Sequence, residues 1–166
     1  MRSHKKTAEA ELELAFMYYH LKHYTKAITL YKKILQREKN AVTAMQFLSR
    51  VYALTHDIKK AMPLAETVYH IYPNFIMANN LANIYDMCGQ KKATEQWYRV
   101  SLKLAPTKED ALIIMSNLAL FYKKIKKLSR GRYYAKKVLK STILRNNPKY
   151  KWLLSTLSKK FQIKRV

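Results

Sequence analysis

The apolar positions of this chain recur on a helical beat. Leu, a small residue, two further positions and then Tyr appear as Leu14-Ala15 to Tyr18, Leu48-Ser49 to Tyr52, Leu81-Ala82 to Tyr85 and Leu118-Ala119 to Tyr122. Successive leucines stand 34, 33 and 37 residues apart. Within each copy the stripe runs at helical spacing, as in Ala78, Leu81, Ala82 and Tyr85, which are i, i+3, i+4 and i+7. A second amphipathic run follows each Tyr, with a small residue nine positions on: Ala27, Ala61, Thr94 and Gly131. Small residues on both helices let their axes approach closely, which predicts four helical hairpins.

Punctuation agrees with that division. Asp57 is placed to cap a second helix, Pro73 and Pro106 close units, and Thr107 with Asp110 approximates a capping box. Asn147 before Pro148 reads as an N-cap followed by Pro at the first helical position. After it, Tyr150, Leu153, Leu154, Leu157 and Phe161 form one more apolar stripe. A stack of hairpins needs its last apolar face covered, so residues 148–162 are expected to form a capping helix. The expected architecture is all-α: about nine helices in one domain over residues 1–166, with repeats at about 7–40, 41–74, 75–106 and 107–146.

With only two Gly and four Pro, turn chemistry is too sparse for a many-stranded sheet. A single cysteine, Cys88, forms no internal disulfide and has no partners arranged as a nucleophile requires, so it reads as a buried thiol. Arg2, Lys5 and Lys6 are followed by Glu9, Glu11 and Glu13 where a signal peptide needs apolar residues. The expected location is cytoplasmic. His20 and His23 lack the further ligands of a structural zinc site, and no Gly-rich phosphate loop is present. Neither metal, cofactor nor catalysis is expected.

Charge adds a second theme. The net charge is +23, and residues 111–166 hold sixteen of the 33 Lys and Arg with no Asp or Glu. The rest of the chain therefore carries 17 minus 10, or +7. The positive block comprises Lys126, Lys127, Arg130, Arg132, Lys136, Lys137 and Lys140, with a Lys164-Arg165 tail. Such a field attracts phosphate or carboxylate surfaces whatever fold lies beneath.

The four aligned copies resemble the tetratricopeptide-repeat (TPR) family over about Thr7 to Leu144. Gly89 matches at an inter-helix turn, Tyr31 and Tyr98 as second-helix aromatics, and Pro73 and Pro106 as closing prolines. The fourth copy departs from the pattern, with Gly131 in place of Ala and no closing Pro on schedule. The resemblance implies a right-handed superhelix of antiparallel helix pairs, an α-solenoid, with a concave groove for an extended peptide. Carried over residue by residue, that groove takes in Leu12, Phe16 and Tyr19, then Gln46 and Arg50. Asn79, Asn80, Asn83 and Asp86 follow, then Ser116, Asn117, Lys123 and Lys124.

In this reading Phe16 and Tyr19 take an apolar side chain, the asparagines hold peptide backbone, and Lys123 with Lys124 meets a negative end. Arg50 and Asn80 partly echo the family's carboxylate clamp for chaperone tails, but Ile113 stands where that clamp has a lysine. The implied function is a non-catalytic scaffold, adaptor or assembly chaperone holding a protein partner, acidic at one end. The alternative is an RNA- or ribosome-associated protein using the basic C-terminal third, with pentatricopeptide proteins as the related family. The Leu-small-Tyr signature favours the tetratricopeptide reading.

Overall fold

The computed structural model describes the backbone of residues 2–163 and the side chains of residues 9–163. The Lys164-Arg165 tail and the side chains of Arg2, Lys5 and Lys6 lie outside the described residues. The described residues are helical throughout, without strands. Eight long helices come first: α1 (Arg2–His20), α2 (Tyr24–Arg37), α3 (Val42–Leu54), α4 (Ile58–Ile71), α5 (Phe75–Met87), α6 (Lys91–Leu104), α7 (Lys108–Lys124) and α8 (Leu128–Lys140), of which α1 packs on α2, α3 on α4 and α7 on α8 as hairpins. A short α9 (Thr142–Arg145), a 3-10 turn (Pro148–Tyr150) and α10 (Lys151–Phe161) follow.

The described residues contain ten α-helices, where about nine were expected. The extra element, α9, arises because Ser141 is extended after α8, and the chain turns back to bury Leu144. The covering segment begins as the 3-10 turn, whose Asn147 side chain accepts from the Lys149 N–H at 3.1 Å.

The hairpin turns share one geometry. The fourth residue after each motif Tyr is left-handed: Lys22 (φ 61°), His56 (φ 61°), Gly89 (φ 75°) and Lys126 (φ 63°). The next N–H returns to the Tyr carbonyl in all four, His23 to Tyr18 and Asp57 to Tyr52 at 2.8 Å, Gln90 to Tyr85 at 2.9 Å and Lys127 to Tyr122 at 2.8 Å. These are Schellman closures, which satisfy helix-end carbonyls and favour Gly at the left-handed position. Only the third turn has one.

Other caps differ from expectation in detail. Asp57 sits at the N-cap of α4, but its side chain makes no cap bond and pairs with the Lys60 ammonium at 2.5 Å. The Thr107 hydroxyl accepts the Asp110 N–H at 3.1 Å and donates to that residue's carboxylate at 2.5 Å. Pro63 lies within α4, where it supplies no N–H to the helical ladder.

The chain packs as two compact units. One comprises Met1–Pro73 with Asn83–Gln90, the other Asn74–Ala82 with Lys91–Val166. In the first unit the small residues Ala15, Ala27 and Ala61 are buried, and the Ser49 hydroxyl donates to the Ala61 carbonyl at 2.8 Å. The small side chain at the crossing thus also ties α3 to α4. Leu48 is buried as the stripe predicts, whereas Leu14 is 41% exposed. Leu14 and Met17 on α1, and Leu21 in the turn that follows it, are exposed apolar residues.

In the second unit α7 is buried on two faces. Ile114, Leu118, Phe121 and Tyr122 pack with Ala82 and Tyr98, while Leu112 and Ala119 pack with α8, α9 and α10 through Val138, Leu144, Leu157 and Phe161. Gly131 has a structural reason in this arrangement. A Cβ there would lie 2.8 Å from Phe161 Cε1 and 3.1 Å from the Ala119 carbonyl oxygen. Tyr150 also ties the covering segment to α7 by donating to Glu109 at 2.5 Å.

Candidate functional site

In the first unit, Leu12 and Phe16 on α1 join Glu13, Met17, Thr43 and Phe47 around an open pocket of about 500 Å³. Helical spacing puts Leu12 and Phe16 on one side of α1, and Thr43 and Phe47 repeat that spacing on α3. The rings interlock: Phe16 meets Phe47 edge-on at 5.1 Å, Tyr19 meets it at 5.5 Å, and Tyr31 stacks beneath it at 6.1 Å. Arg50 lies 5.7 Å from the same ring, a cation-π distance. A second pocket of about 240 Å³ shares Leu12 and Thr43 and is lined also by Glu9, Ile34, Glu38, Ala41, Val42 and Ala44.

The rim chemistry was not foreseen. Glu9, Glu13 and Glu38 line the two pockets without a cation among the lining residues, in a chain whose net charge is +23. Glu11, between them in sequence, is satisfied instead by Arg37 and by Lys33 at 2.9 Å. The Lys33 hydrogen bond outweighs partial burial and lowers the Glu11 carboxyl below its usual range, with Arg37 assisting. Phe47, Thr43 and Met17 were also missed, although Phe47 sits four residues after Thr43 and marks the same face.

Beneath this pocket the Tyr31 hydroxyl is buried with no hydrogen-bond partner among the described residues. Burial, with the nearby Tyr19, pushes its pKa up to about 12 against a weaker opposing pull from Arg50. Gln46, Asn83 and Asp86 are half-buried members of the same unit. His20 packs edge-on against Phe16 at 4.2 Å, and His23 against Tyr18 at 6.1 Å, so the HxxH pair serves ring packing. Burial raises the pKa of the Cys88 thiol, consistent with its reading as a packed residue.

In the second unit the structure brings two predicted residues together: Asn117 Nδ2 on α7 donates to Asn79 Oδ1 on α5 at 2.8 Å. The pair is half-buried and retains amide donors and an acceptor beyond that bond. Asn80 is likewise half-buried. Ser116 is a correction: it is fully buried and its hydroxyl donates to the Leu112 carbonyl at 2.8 Å, because α7 buries both its faces. Lys123 is also committed, its ammonium donating to the Lys160 carbonyl at the end of α10 and lying 5.5 Å from the Phe161 ring. It serves as a helix C-terminal cap. Lys124 is exposed.

The positive block is solvent-facing: Lys126, Lys127, Arg130, Arg132, Lys136, Lys137 and Lys140 are all exposed. Two of them converge on Glu95 of α6. Its carboxylate meets Arg99 at 2.8 Å, Arg130 at 3.3 Å and Lys127 at 3.9 Å. Partial burial works to raise the Glu95 pKa, but hydrogen bonds from the Tyr122 hydroxyl and Arg99, with the Lys127 charge, hold it below the usual range. Burial and Glu95 together raise the pKa of Tyr122.

Among the described residues no helix is long and apolar enough to cross a membrane. No family model matches the sequence, and no curated protein matches it. Solved structures do match. MamA from Desulfovibrio magneticus RS-1, residues 41 to the end, superposes with a TM-score of 0.68 at 18% identity, covering 85% of this chain and 77% of that one. A double mutant of the RS-1 protein gives 0.67 at 19% identity, covering 89% and 81%. The pilF protein of Pseudomonas aeruginosa gives 0.70 at 18% identity, covering 95% and 70%. Both proteins are built of tetratricopeptide repeats. At these identities the likeness is one of fold, and the fold is the TPR-like helical solenoid that the four-copy pattern implied.

Proposed function

We infer that this chain, with its tetratricopeptide-repeat fold, works as a non-catalytic scaffold that holds a segment of a protein partner. The observation that carries this reading is the open aromatic pocket of about 500 Å³ between α1 and α3. Its rings are fixed by mutual edge-on contacts, so an incoming apolar side chain displaces water without ordering the wall that receives it. Repeat solenoids present extended surfaces suited to peptides, which favours a segment over a compact small molecule.

The rim refines the partner's chemistry. Glu9, Glu13 and Glu38, exposed at the rim, favour an apolar anchor flanked by Lys or Arg, since charge complementarity sets specificity and association rate more than raw affinity. The expected acidic end is not retained for Lys123, whose ammonium is engaged with Lys160. In the second unit, the Asn79–Asn117 pair offers a separate station for peptide backbone.

Selection of a displayed random-peptide library on the intact chain tests this. Enriched peptides should carry a bulky apolar residue next to Lys or Arg. Replacing Phe16 and Phe47 together by Ala should abolish the enrichment, and Glu13→Gln with Glu38→Gln should remove the basic preference while sparing the apolar one. The reading fails if no sequence is enriched, or if the same sequences are enriched on the Phe16→Ala, Phe47→Ala chain.

A further inference from the structure

We propose that the outward face of α8 is a second binding surface, specific for single-stranded nucleic acid. Gly131, Ala135 and Val138 mark the buried side of this helix. At 100° per residue, Tyr133 stands opposite them, with Lys137 and Lys140 beside it and Arg132 and Lys136 at the flank. The face therefore has an aromatic ring at its centre, 53% exposed, and cations around it.

That ring is held in place. Tyr133 packs edge-on against Tyr134 at 5.2 Å, and Tyr134 stacks on the buried Tyr122 at 5.8 Å. The Lys137 ammonium lies 4.6 Å from the Tyr133 centroid. A fixed, half-exposed aromatic beside phosphate-reaching cations is the arrangement by which proteins stack an unpaired base while neutralising its backbone.

The charges are uncompensated. Lys33, Arg37, Lys60 and Arg99 each meet a carboxylate, and Lys127 and Arg130 share Glu95. Arg132, Lys136, Lys137 and Lys140 make no ion pair among the described residues, and residues 111–166 contain no Asp or Glu. Arg132 with Lys136, and Lys136 with Lys140, are like-charge pairs four residues apart, which an isolated helix disfavours and a bound polyanion relieves.

Among polyanions the single strand fits best. A duplex hides its base faces from Tyr133. An anionic membrane would gain mostly surface attraction, because Ala135, Val138 and Leu139 of α8 are spent in the core and only Leu128, at the start of the helix, and Tyr133 are left outside it. This surface is independent of the aromatic pocket in the first unit, and the peptide selection above tests that pocket separately.

The experiment is fluorescence anisotropy of labelled 20-nucleotide oligo(U) and oligo(dT), the matching duplex, heparin as competitor, and phosphatidylserine vesicles, all with the full chain. Neutralising Arg132, Lys136, Lys137 and Lys140 to Gln should weaken single-strand binding by at least about tenfold at 0.1 M salt. The charge-matched control, Lys39, Lys59, Lys91 and Lys108 to Gln, should change it less than about threefold. With four phosphates neutralised, raising salt from about 0.1 to about 0.4 M should weaken binding about 50-fold. Tyr133→Ala should lose about fivefold or more for oligo(U) yet leave heparin competition unmoved, and Tyr133→Phe should restore it. Circular dichroism checks that each variant keeps its helix content.

No single-strand binding at 0.1 M salt, equal losses in the two quadruple variants, or indifference to Tyr133→Ala would each overturn the proposal. Binding to vesicles without binding to oligo(U) or oligo(dT) would replace it with a membrane surface.

Discussion

Gly131→Ala sets two known effects against each other. Gly131 is an ordinary right-handed helical residue, so alanine should stabilise α8 by about 1 kcal/mol through propensity alone. The new methyl, however, would stand 2.8 Å from Phe161 Cε1, 3.1 Å from its Cζ and 3.1 Å from the Ala119 carbonyl. Phe161 is buried against both α7 and α8, so its ring has no open direction in which to retreat. Overpacking of this kind costs about 1 to 3 kcal/mol, which outweighs the propensity gain and leaves a net loss of about 1 kcal/mol. For a chain of this size that is a fall in melting temperature of about 2–4 °C.

A double-mutant cycle isolates the cause. Phe161→Leu removes the atoms nearest the new methyl, leaving only the Ala119 carbonyl. In that background Gly131→Ala should be neutral or mildly stabilising, giving a coupling of about 1 kcal/mol between the two positions. Urea denaturation followed by far-ultraviolet circular dichroism on the four chains measures it. Stabilisation by Gly131→Ala in the parent chain, or the same change in both backgrounds, would refute the wedge as the reason for glycine.

Three further outcomes follow from the geometry. Lys22→Gly, His56→Gly and Lys126→Gly relieve left-handed strain at positions whose closing bonds use only backbone, so each should raise stability by about 0.5–1 kcal/mol, whereas Gly89→Ala should lower it by about 1 kcal/mol in the same urea assay. Tyr31→Phe removes a buried donor without a partner and should stabilise by about 1 kcal/mol at pH 7. Because Tyr31 is pushed up to about 12 while an unfolded tyrosine ionises near 10, parent stability should fall as pH rises between those values, and Tyr31→Phe should flatten that fall. Glu95 is lowered when folded, so its contribution holds above the usual carboxylate range and disappears as pH falls through its folded value; thermal melts of Glu95→Gln should be lower at pH 7 and show a shallower acid limb below about pH 4.3.

The repeat was legible because its information is local. Leu48, Leu81 and Leu118, and the small partners Ala27, Ala61, Thr94 and Gly131, are buried where the beat puts them. Leu14 carries the same signature and is exposed, since periodicity records which way a residue faces and says nothing of whether anything covers it. Ser116 went the other way: flanking polar spacing pointed outward, but a helix buried on two faces leaves no polar side there.

The remaining site features depend on distant partners. Lys123 reaches a carbonyl 37 positions away, and Arg130 a carboxylate 35 away, so neither pairing leaves a trace in local pattern. Left-handed Lys22, His56 and Lys126 were hidden because only Gly89 advertises that geometry by residue type. Their common offset of four from each Tyr was the available signal.

The hairpin turns have a consequence for how this chain can change. Since their geometry is enforced by main-chain bonds, the side chain at the bend is released from architectural duty. Lysine, histidine and glycine already occupy it interchangeably, at a modest energetic toll. Each bend is thus a place where new chemistry can be grafted onto the solenoid without disturbing the helices on either side.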